Sequence, residues 1–280
     1  LNNTKSPYNR LLLTGGAVVA AVSLALLWIF PILTHHFELQ ITDLKFNIRS
    51  SLNRGPGMDP SIVLVNLDDY SKKQSNFDLW PYSYYTAAIE KINAGDPTSL
   101  GIDIFFTITL DTTGWYDLLT AIEDSYVTIN PYLVKFGSTE NPLVVNDHGH
   151  ILSELRYDDL IPVQPGLVRH VVDIPYKSKP EFIEAGSLGF VNIEEDSDGI
   201  LRRLPLVADI NGTLAPHFFL RLLCKHVSSR SSDPAYEYLP RNIEVVNRHK
   251  LVMHDFPIDN ISRQDIEIPL DGDGNMMINY

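Results

Sequence analysis

The sequence predicts an α/β protein with a mixed sheet, a βαβ core and additional β-hairpins, preceded by an N-terminal transmembrane helix. Residues 11–33 form an apolar run without a charged residue, and a helix of roughly 20 such residues can cross a bilayer. Residues 61–68 and 100–106 are β-branched apolar runs on either side of a helical pattern, which is typical of a βαβ unit. Further downstream, short apolar runs are separated by Asp, Asn and Gly residues, which is typical of hairpins.

The N-terminal region is predicted to cross a membrane once, with residues 1–10 in the cytoplasm. Lys5 and Arg10 precede the span, and positive residues next to a span favour the cytoplasmic side. A cleaved signal peptide is the alternative, but its apolar region is only about 7–15 residues long and ends in small residues. The run here is longer and ends in Trp-Ile-Phe-Pro at 28–31. We therefore expect an uncleaved anchor in contact with membrane lipid.

Residues 35–60 are predicted to form a juxtamembrane helix and a linker. Apolar residues recur at helical spacing in its first part: Phe37, Ile41, Leu44 and Ile48. The glycines and proline of 53–57 end the helix. The remaining residues, 61–280, are numerous enough to build a hydrophobic core and are predicted to form one extracytoplasmic domain.

Carboxylates accompany both strands of the predicted βαβ unit. Asp68 and Asp69 end the first strand, and Asp103 lies inside the second. Ligands of α/β proteins bind at the carboxyl ends of strands. A carboxylate inside an apolar strand has to be paired, hydrogen-bonded or at an accessible edge. The alternative for the first strand is that Asp69 or Ser71 caps a following turn, and the residues alone leave both interpretations open.

Three further helices and a third strand are predicted along the chain. Apolar residues recur on one helical face in 82–93, 115–125 and 215–226, and prolines stand where two of these helices begin. Residues 126–129 form the third strand. From 130 to 179 the pattern weakens, and we expect loops around a minor strand or helix.

A turn rich in aspartate lies in the most motif-like stretch, residues 186–207. Residues 190–193 and 200–207 are predicted to pair as a hairpin around the turn 196–199. Arg202 or Arg203 is expected to contact Asp198 or a strand-end carboxylate. The hairpins 243–253 and 266–280 follow.

Metal binding is weighed at three places and not predicted at any of them. The aspartates near 196–198 and 271–275 lack the spacing and the final Glu of an EF-hand calcium loop. His148 and His150 lie beside Asp147, which suits a metal, but an exposed turn is the favoured interpretation. We expect no metal and no cofactor.

Composition narrows the function classes further. The net charge is −13, which argues against nucleic acid and anionic lipid surfaces as partners. A single cysteine, Cys224, excludes an intrachain disulfide and is typical of an exported bacterial domain; a buried structural thiol is the favoured interpretation. No nucleophile elbow, kinase signature or phosphate-binding loop is present, so enzyme activity cannot be assigned to these residues.

The series of motifs resembles a known family. In order along the chain it reads IVLVNLDDYS, WPYSYYTAAIEKI, LGIDIFF, GFVNIEEDSDGILRRLPLV and IEIPLDGDGNMMINY. This series is similar to the second type of CHASE domain, the cyclase- and histidine-kinase-associated extracellular sensory domains of bacteria, over nearly all of residues 40–280. In the family the domain continues beyond the Asn-Tyr motif into further membrane spans. The loop after Phe106 also lacks the family's usual length and acidic content.

The resemblance implies a periplasmic or extracellular sensor in the bacterial cell membrane that regulates a cytoplasmic nucleotide cyclase or protein kinase, with a homodimer as the expected assembly. Candidate ligand-binding residues are those near the strand ends and the aspartate-rich turn: Asp68, Asp69, Asp103, Asn192, Asp198 and Arg202. The alternative is an accessory or structural subunit of a larger membrane complex that senses no ligand.

Overall fold

The computed structural model describes residues 7–52, 54, 57, 59–75, 80–107, 112–125, 127–138, 140, 149, 153, 163–229, 238, 240–258 and 262–278. The chain divides into two compact units. The first contains Leu1–Val63 and the second Leu64–Ile278.

The first unit is built on one helix, α1 (Pro7–Ser51). The helix ends where the sequence Asn-Arg-Gly-Pro-Gly begins at 53, because proline and glycine interrupt helical hydrogen bonding. Over the described part of the chain, we find no helix that combines the length and the apolar character needed to cross a membrane. Within the predicted span, the side chains of residues 11–13 and 27–33 lie outside the described residues. The span at 11–33 stays a prediction.

The second unit is mixed α/β, as predicted, with helices and strands that alternate first and hairpins that follow. Its elements are α2 (Asp69–Ser75), α3 (Tyr82–Asn93), β1 (Leu100–Gly101), α4 (Thr112–Glu123), β2 (Thr128–Gly137), β3 (His170–Lys177), α5 (Pro180–Glu184), β4 (Ser187–Phe190), β5 (Arg203–Pro205), β6 (Val207–Ile210), β7 (Thr213–Pro216), α6 (Phe218–Ser229), a 3-10 turn (Pro240–Asn242), β8 (Ile243–Asn247), β9 (Lys250–Pro257), β10 (Arg263–Pro269) and β11 (Asn275–Met277).

Five strands of this unit close into a ring. Strand β2 pairs antiparallel with β3 and parallel with β4. Strand β3 meets β6 in parallel, and β6 pairs antiparallel with β7. His217, directly after β7, completes the ring by bridging to Phe190 of β4. One buried apolar cluster contains side chains from all five strands, as expected for the filled interior of a small barrel.

A βαβ unit is present, but one element later than predicted. Strands β1 and β2 pair in parallel and are connected through α4. Helices α3, α4 and α5 cover β1 with a shared aromatic and aliphatic core that includes Tyr82, Trp115 and Phe182. Phe182 is fully buried and its ring centroid lies 4.6 Å from that of Trp115.

The predicted strand at 61–68 is wrong for this structure. The segment is extended without a ladder, and Ile62, Val63, Leu64 and Val65 are between 60% and 77% exposed. The predicted strand at 100–106 is a ladder only at β1. An apolar run specifies burial in a sheet but not which strand it pairs with, and this pairing decides where a ladder forms.

The prediction of loops around one minor strand or helix over 130–179 underestimates the strand content of the described parts. Strand β2 continues to Gly137 and β3 begins at His170. Pro131 and the buried Asn130 masked the strand pattern. The side-chain amide of Asn130 donates a hydrogen bond to the carbonyl oxygen of Phe182 at 2.5 Å, a partner far along the chain that the local sequence does not reveal.

One of the three predicted hairpins forms a ladder, whereas the arms of the other two are joined by one antiparallel bridge each, Glu194 with Arg203 and Leu270 with Met276. Strands β8 and β9 form the hairpin predicted at 243–253, and β10 extends it to a three-stranded sheet. The turn at 271–274 forms, but β10 pairs with β9 while β11 pairs with β5. The turn at 196–199 forms as well, but the strand before it, β4, pairs with β2. Turn residues specify a reversal of the chain, whereas the pairing of its arms depends on tertiary partners.

Candidate functional site

Asp68 lies at the N-terminus of a short helix. Its Oδ1 accepts hydrogen bonds from the backbone N–H and the hydroxyl of Ser71, at 2.8 and 2.6 Å. These bonds to Ser71 lower the pKa of the Asp68 carboxyl below its usual value. Asp69 is the first residue of α2 and is exposed. The first carboxylate thus caps a helix here, which is the local role weighed from the sequence, with Asp68 rather than Asp69 as the capping residue.

Asp103 is exposed rather than buried. It follows β1 on the stretch where no ladder forms. It makes no hydrogen bond or ion pair with any described residue. Of the three alternatives that the sequence left for this carboxylate, the structure shows the accessible edge, because β1 lies at the end of its sheet.

Asn192 continues the pairing between β4 and β2 through its side chain. Its Oδ1 accepts a hydrogen bond from the Val134 N–H at 2.9 Å, and its Nδ2 donates to the Val134 carbonyl at 2.7 Å. Its own backbone carbonyl lies 3.2 Å from Nε2 of His217. Both ends of the amide are therefore engaged in holding the ring of strands together.

Asp198 and Arg202 are brought into direct contact, as the sequence suggested. Two guanidinium nitrogens of Arg202 donate to the two carboxylate oxygens of Asp198, at 2.8 and 2.9 Å. A third bond reaches Asp196 at 3.1 Å. Arg202 is 1% exposed. A buried guanidinium needs such bidentate, charged partners, because removing its charge from water is otherwise unfavourable.

The contact between Asp198 and Arg202 is part of a larger group, which we call the Arg202 cluster: Asp196, Asp198, Arg202, Arg203 and Asp271. Arg203 lies 3.3 Å from Asp196 and 3.5 Å from Asp271. The cluster therefore joins the turn at 196–199 to the turn at 271–274.

The cluster also reaches the last described strand of the unit. Asp271 accepts hydrogen bonds from the backbone N–H and the side-chain amide of Asn275, the first residue of β11. The N–H of Ile278 donates to the Arg202 carbonyl at 2.8 Å. A displacement of Arg202 is therefore expected to reach β11 directly.

Asp198 is the solvent-accessible member of the pair with Arg202. The Arg202 hydrogen bonds lower the pKa of the Asp198 carboxyl to about 2, so it is ionised at neutral pH. Its side chain is 26% exposed. A ligand that donates hydrogen bonds can approach this carboxylate from solvent, and in doing so it competes with Arg202.

His217 was not singled out from the sequence. It is buried under the ring closure, where its Nδ1 accepts a hydrogen bond from the Phe219 N–H at 3.2 Å. Burial lowers its pKa to about 4, and the contact with the Asn192 carbonyl opposes this only partly. The neutral imidazole is therefore the form present at neutral pH. A histidine next to an aromatic pair gives no signal in the sequence that separates this role from ordinary packing.

His170 and Asp209 form a buried pair on neighbouring strands. Nδ1 of His170 lies 3.2 Å from Asp209 Oδ2, and Asp209 Oδ1 accepts a hydrogen bond from the Gly212 N–H at 2.6 Å. The two residues are far apart in the chain, and only the pairing of β3 with β6 brings them together. The sequence therefore held no local signal for this pair.

An exposed histidine bridges three strands. Nδ1 of His254 lies 3.0 Å from Asp265 Oδ2, and its Nε2 lies 2.9 Å from Glu244 Oε2. Glu244 first, and then Asp265, raise the pKa of His254. We call these three residues the His254 cluster. The predicted hairpin at 243–253 contained a signal for it, because alternating residues of paired strands share a face.

Within the described ranges, no group of three metal-binding side chains is arranged to hold an ion. His148 and His150 lie outside the described residues. The described residues thus bring together an ion-paired cluster that links two turns.

A family model described as the CHASE2 domain matches residues 17–280. No curated protein and no solved structure matches the chain.

Proposed function

Because this chain belongs to the CHASE2 domain family, an extracellular sensory family, we propose that it is the signal-receiving part of a bacterial membrane receptor. The match over residues 17–280 is the single observation that carries this proposal. In this proposal the receptor regulates a cytoplasmic nucleotide cyclase or protein kinase through its membrane helices. We propose this effector because the motif series resembles sensory domains that are associated with cyclases and kinases. The sequence of the chain itself shows no catalytic motif.

The proposed topology follows the sequence. Residues 1–10 are cytoplasmic, residues 11–33 cross the cell membrane in contact with lipid, and residues 35–60 lead to the sensor at 61–280. The apolar run and the flanking Lys5 and Arg10 support this orientation. A homodimer is the proposed assembly.

Signal recognition is proposed near Asp198 and Arg202. The further candidates are Asn192, Asp68 and Asp69 at the start of α2, and Asp103 after β1. A ligand changes an output only if it binds two states of the protein with different affinity. The Arg202 cluster supports such a role, because a ligand on Asp198 competes with Arg202, which is hydrogen-bonded to the residue that follows β11.

Reporter fusions test the topology. Alkaline phosphatase, which is active only outside the cytoplasm, is joined after residue 280, and green fluorescent protein is joined there in a parallel fusion. We expect an active phosphatase, a dark fluorescent protein, and loss of phosphatase activity when residues 11–33 are deleted. A fluorescent full-length fusion with inactive phosphatase would contradict the proposed location. Release of the chain from membranes at high pH would contradict the uncleaved anchor.

The DNA sequence of the gene distinguishes the receptor from the alternative, an accessory subunit. The reading frame is followed beyond Tyr280. Further membrane spans and a cyclase or kinase domain support the receptor, whereas a stop codon supports an accessory subunit.

A further inference from the structure

One apolar segment of the second unit has no ladder partner among the described residues. Residues 64–67, Leu-Val-Asn-Leu, are extended. Leu64 is 71% exposed and Val65 is 63% exposed. Water-exposed apolar side chains are unfavourable, and an extended, mostly apolar segment is suited to pairing with a sheet edge.

The sheet that begins at β1 has a free edge of its own. The N–H groups of Leu100 and Ile102 donate to carbonyl oxygens at the start of β2, both at 3.0 Å. Because successive residues of a strand point their backbone groups to opposite sides, those of Gly101 and Asp103 point away from β2. No strand pairs with them in the described part of the chain.

The order of the elements identifies what belongs at this edge. Helices α3 and α4 lie in one layer, since they share a buried core. Helix α4 connects β1 to its parallel neighbour β2. Parallel crossovers are right-handed in about 98% of cases, so two successive crossovers through the same layer advance in the same direction. The segment before α3 therefore belongs on the side of β1 opposite β2.

The surroundings of a strand placed beside β1 would be apolar on both faces, which suits the side chains of residues 64–67. On one face, Ile102 and Phe106 of the β1 chain pack into the core of the helix layer. On the other face Gly101 lies against α6, where an added Cβ would come within 2.7 Å of the Phe218 ring. A strand next to β1 is thus covered on both faces, and residues 64–67 present apolar side chains on both.

We propose that residues 64–67 are a strap that closes on β1 as a parallel strand, and that the structure shows the strap open. Closure buries Leu64, Val65 and Leu67. It also places Asp68 beyond the carboxyl end of the new strand, at the same sheet edge as Asp103. Any role of these carboxylates in ligand binding rests on the proposed function, whereas closure itself does not.

Hydrogen exchange of the purified full chain, followed amide by amide, tests closure. The Gly101 and Asp103 amides, free in the open structure, become protected by about 100-fold or more. Amides within residues 64–67 become protected at alternate positions. The Ile102 amide, already bonded to β2, is the internal reference. Exchange of Gly101, Asp103 and 64–67 at the rate of an unstructured peptide overturns the proposal.

A matched pair of variants removes the closed state. Val65→Asp places a charge where closure requires an apolar side chain. We expect it to abolish protection at Gly101 and Asp103 while Ile102 stays protected. We also expect it to lower the melting temperature by about 5 °C or more. Val246→Asp makes the same change at a side chain that is 41% exposed on β8, and is expected to leave both readouts unchanged.

Two results contradict intramolecular closure. Equal effects of the two variants would mean that Val65 stays in solvent. Protection that rises with protein concentration would mean that the segment pairs with a second chain. Neither result bears on whether the chain is a sensor, so failure of the strap is distinguishable from failure of the proposed function.

Discussion

The Arg202 cluster and the His254 cluster each place a basic side chain between two carboxylates, but they differ in burial. Arg202 is 1% exposed, whereas the His254 side chain is 40% exposed. Exposed ion pairs contribute little, because water already solvates the separate charges. Breaking a buried pair leaves an uncompensated charge, which is strongly destabilising. The buried Arg202 cluster is therefore expected to contribute strongly to stability, whereas changes in the exposed His254 cluster are expected to cost little.

The largest effect is expected from Arg202→Met. It removes the buried guanidinium from Asp196 and Asp198 and leaves Asp196 only its longer contact with the partly exposed Arg203. Removal of one partner of a buried pair costs about 3–5 kcal/mol. The free energy of unfolding, measured by urea titration of the full chain, gives the value. Arg203→Met is the control, because Arg203 is 30% exposed, and should cost about 1 kcal/mol or less. Equal losses for the two variants would mean that burial does not set the difference.

Next in size is the response of His217 to acid. Its pKa is lowered by burial from 6.5 to about 4. In the unfolded chain the imidazole is protonated near pH 6.5, whereas in the folded chain it is protonated only near pH 4. Stability present above pH 6.5 is therefore lost as the pH falls through this window, by about 3 kcal/mol in total. Urea titrations between pH 7 and pH 4 measure the loss. His217→Gln should flatten it, and an unchanged slope would assign the loss to other groups.

A matched pair of neutralisations compares the carboxylates of the two clusters. Asp198→Asn removes the charge that holds both guanidinium nitrogens of Arg202. Asp265→Asn removes one partner of the exposed His254. Thermal melts at pH 7 should show a clear drop in melting temperature for Asp198→Asn and a smaller one for Asp265→Asn. The reverse order would mean that the buried cluster does not depend on Asp198.

The smallest effect is expected at His254, with the opposite pH dependence to His217. Glu244 and Asp265 raise its pKa above 6.5, so its contribution is fully present below pH 6.5 and is lost as the pH rises through the raised value. Nuclear magnetic resonance titration of the imidazole should give a midpoint above 6.5, and Glu244→Gln should lower it. A midpoint at or below 6.5 would show that the two carboxylates do not act on the ring.

The sequence anticipated the parts of the fold whose signals are local. Helix α3 was predicted with its observed bounds because Pro81 and Gly95 flank a clear helical pattern. The contact of Arg202 with Asp198 was also anticipated, since the two residues lie four apart across a turn. The buried Cys224 was expected from its helix.

Long-range pairing was not predictable in the same way. Strand β11 forms its ladder with β5 and keeps only one bridge, from Met276 to Leu270, in the hairpin that its turn suggested. His170 meets Asp209 only because β3 and β6 are neighbours in the ring. Asp103 is exposed because, among the described residues, no strand pairs with the edge of β1 opposite β2. In each case the deciding interaction joins residues that local pattern and spacing do not connect.

The link from the aspartate-rich turn to β11 is the feature on which the sensory role of the Arg202 cluster depends. Hydrogen exchange at the Ile278 amide, which donates to the Arg202 carbonyl, measures that link in wild type and Asp198→Asn. We expect faster exchange at Ile278 in the variant, with the β8–β10 amides unchanged as the internal reference. Unchanged exchange at Ile278 would contradict a coupling between the proposed ligand-binding turn and the last described strand.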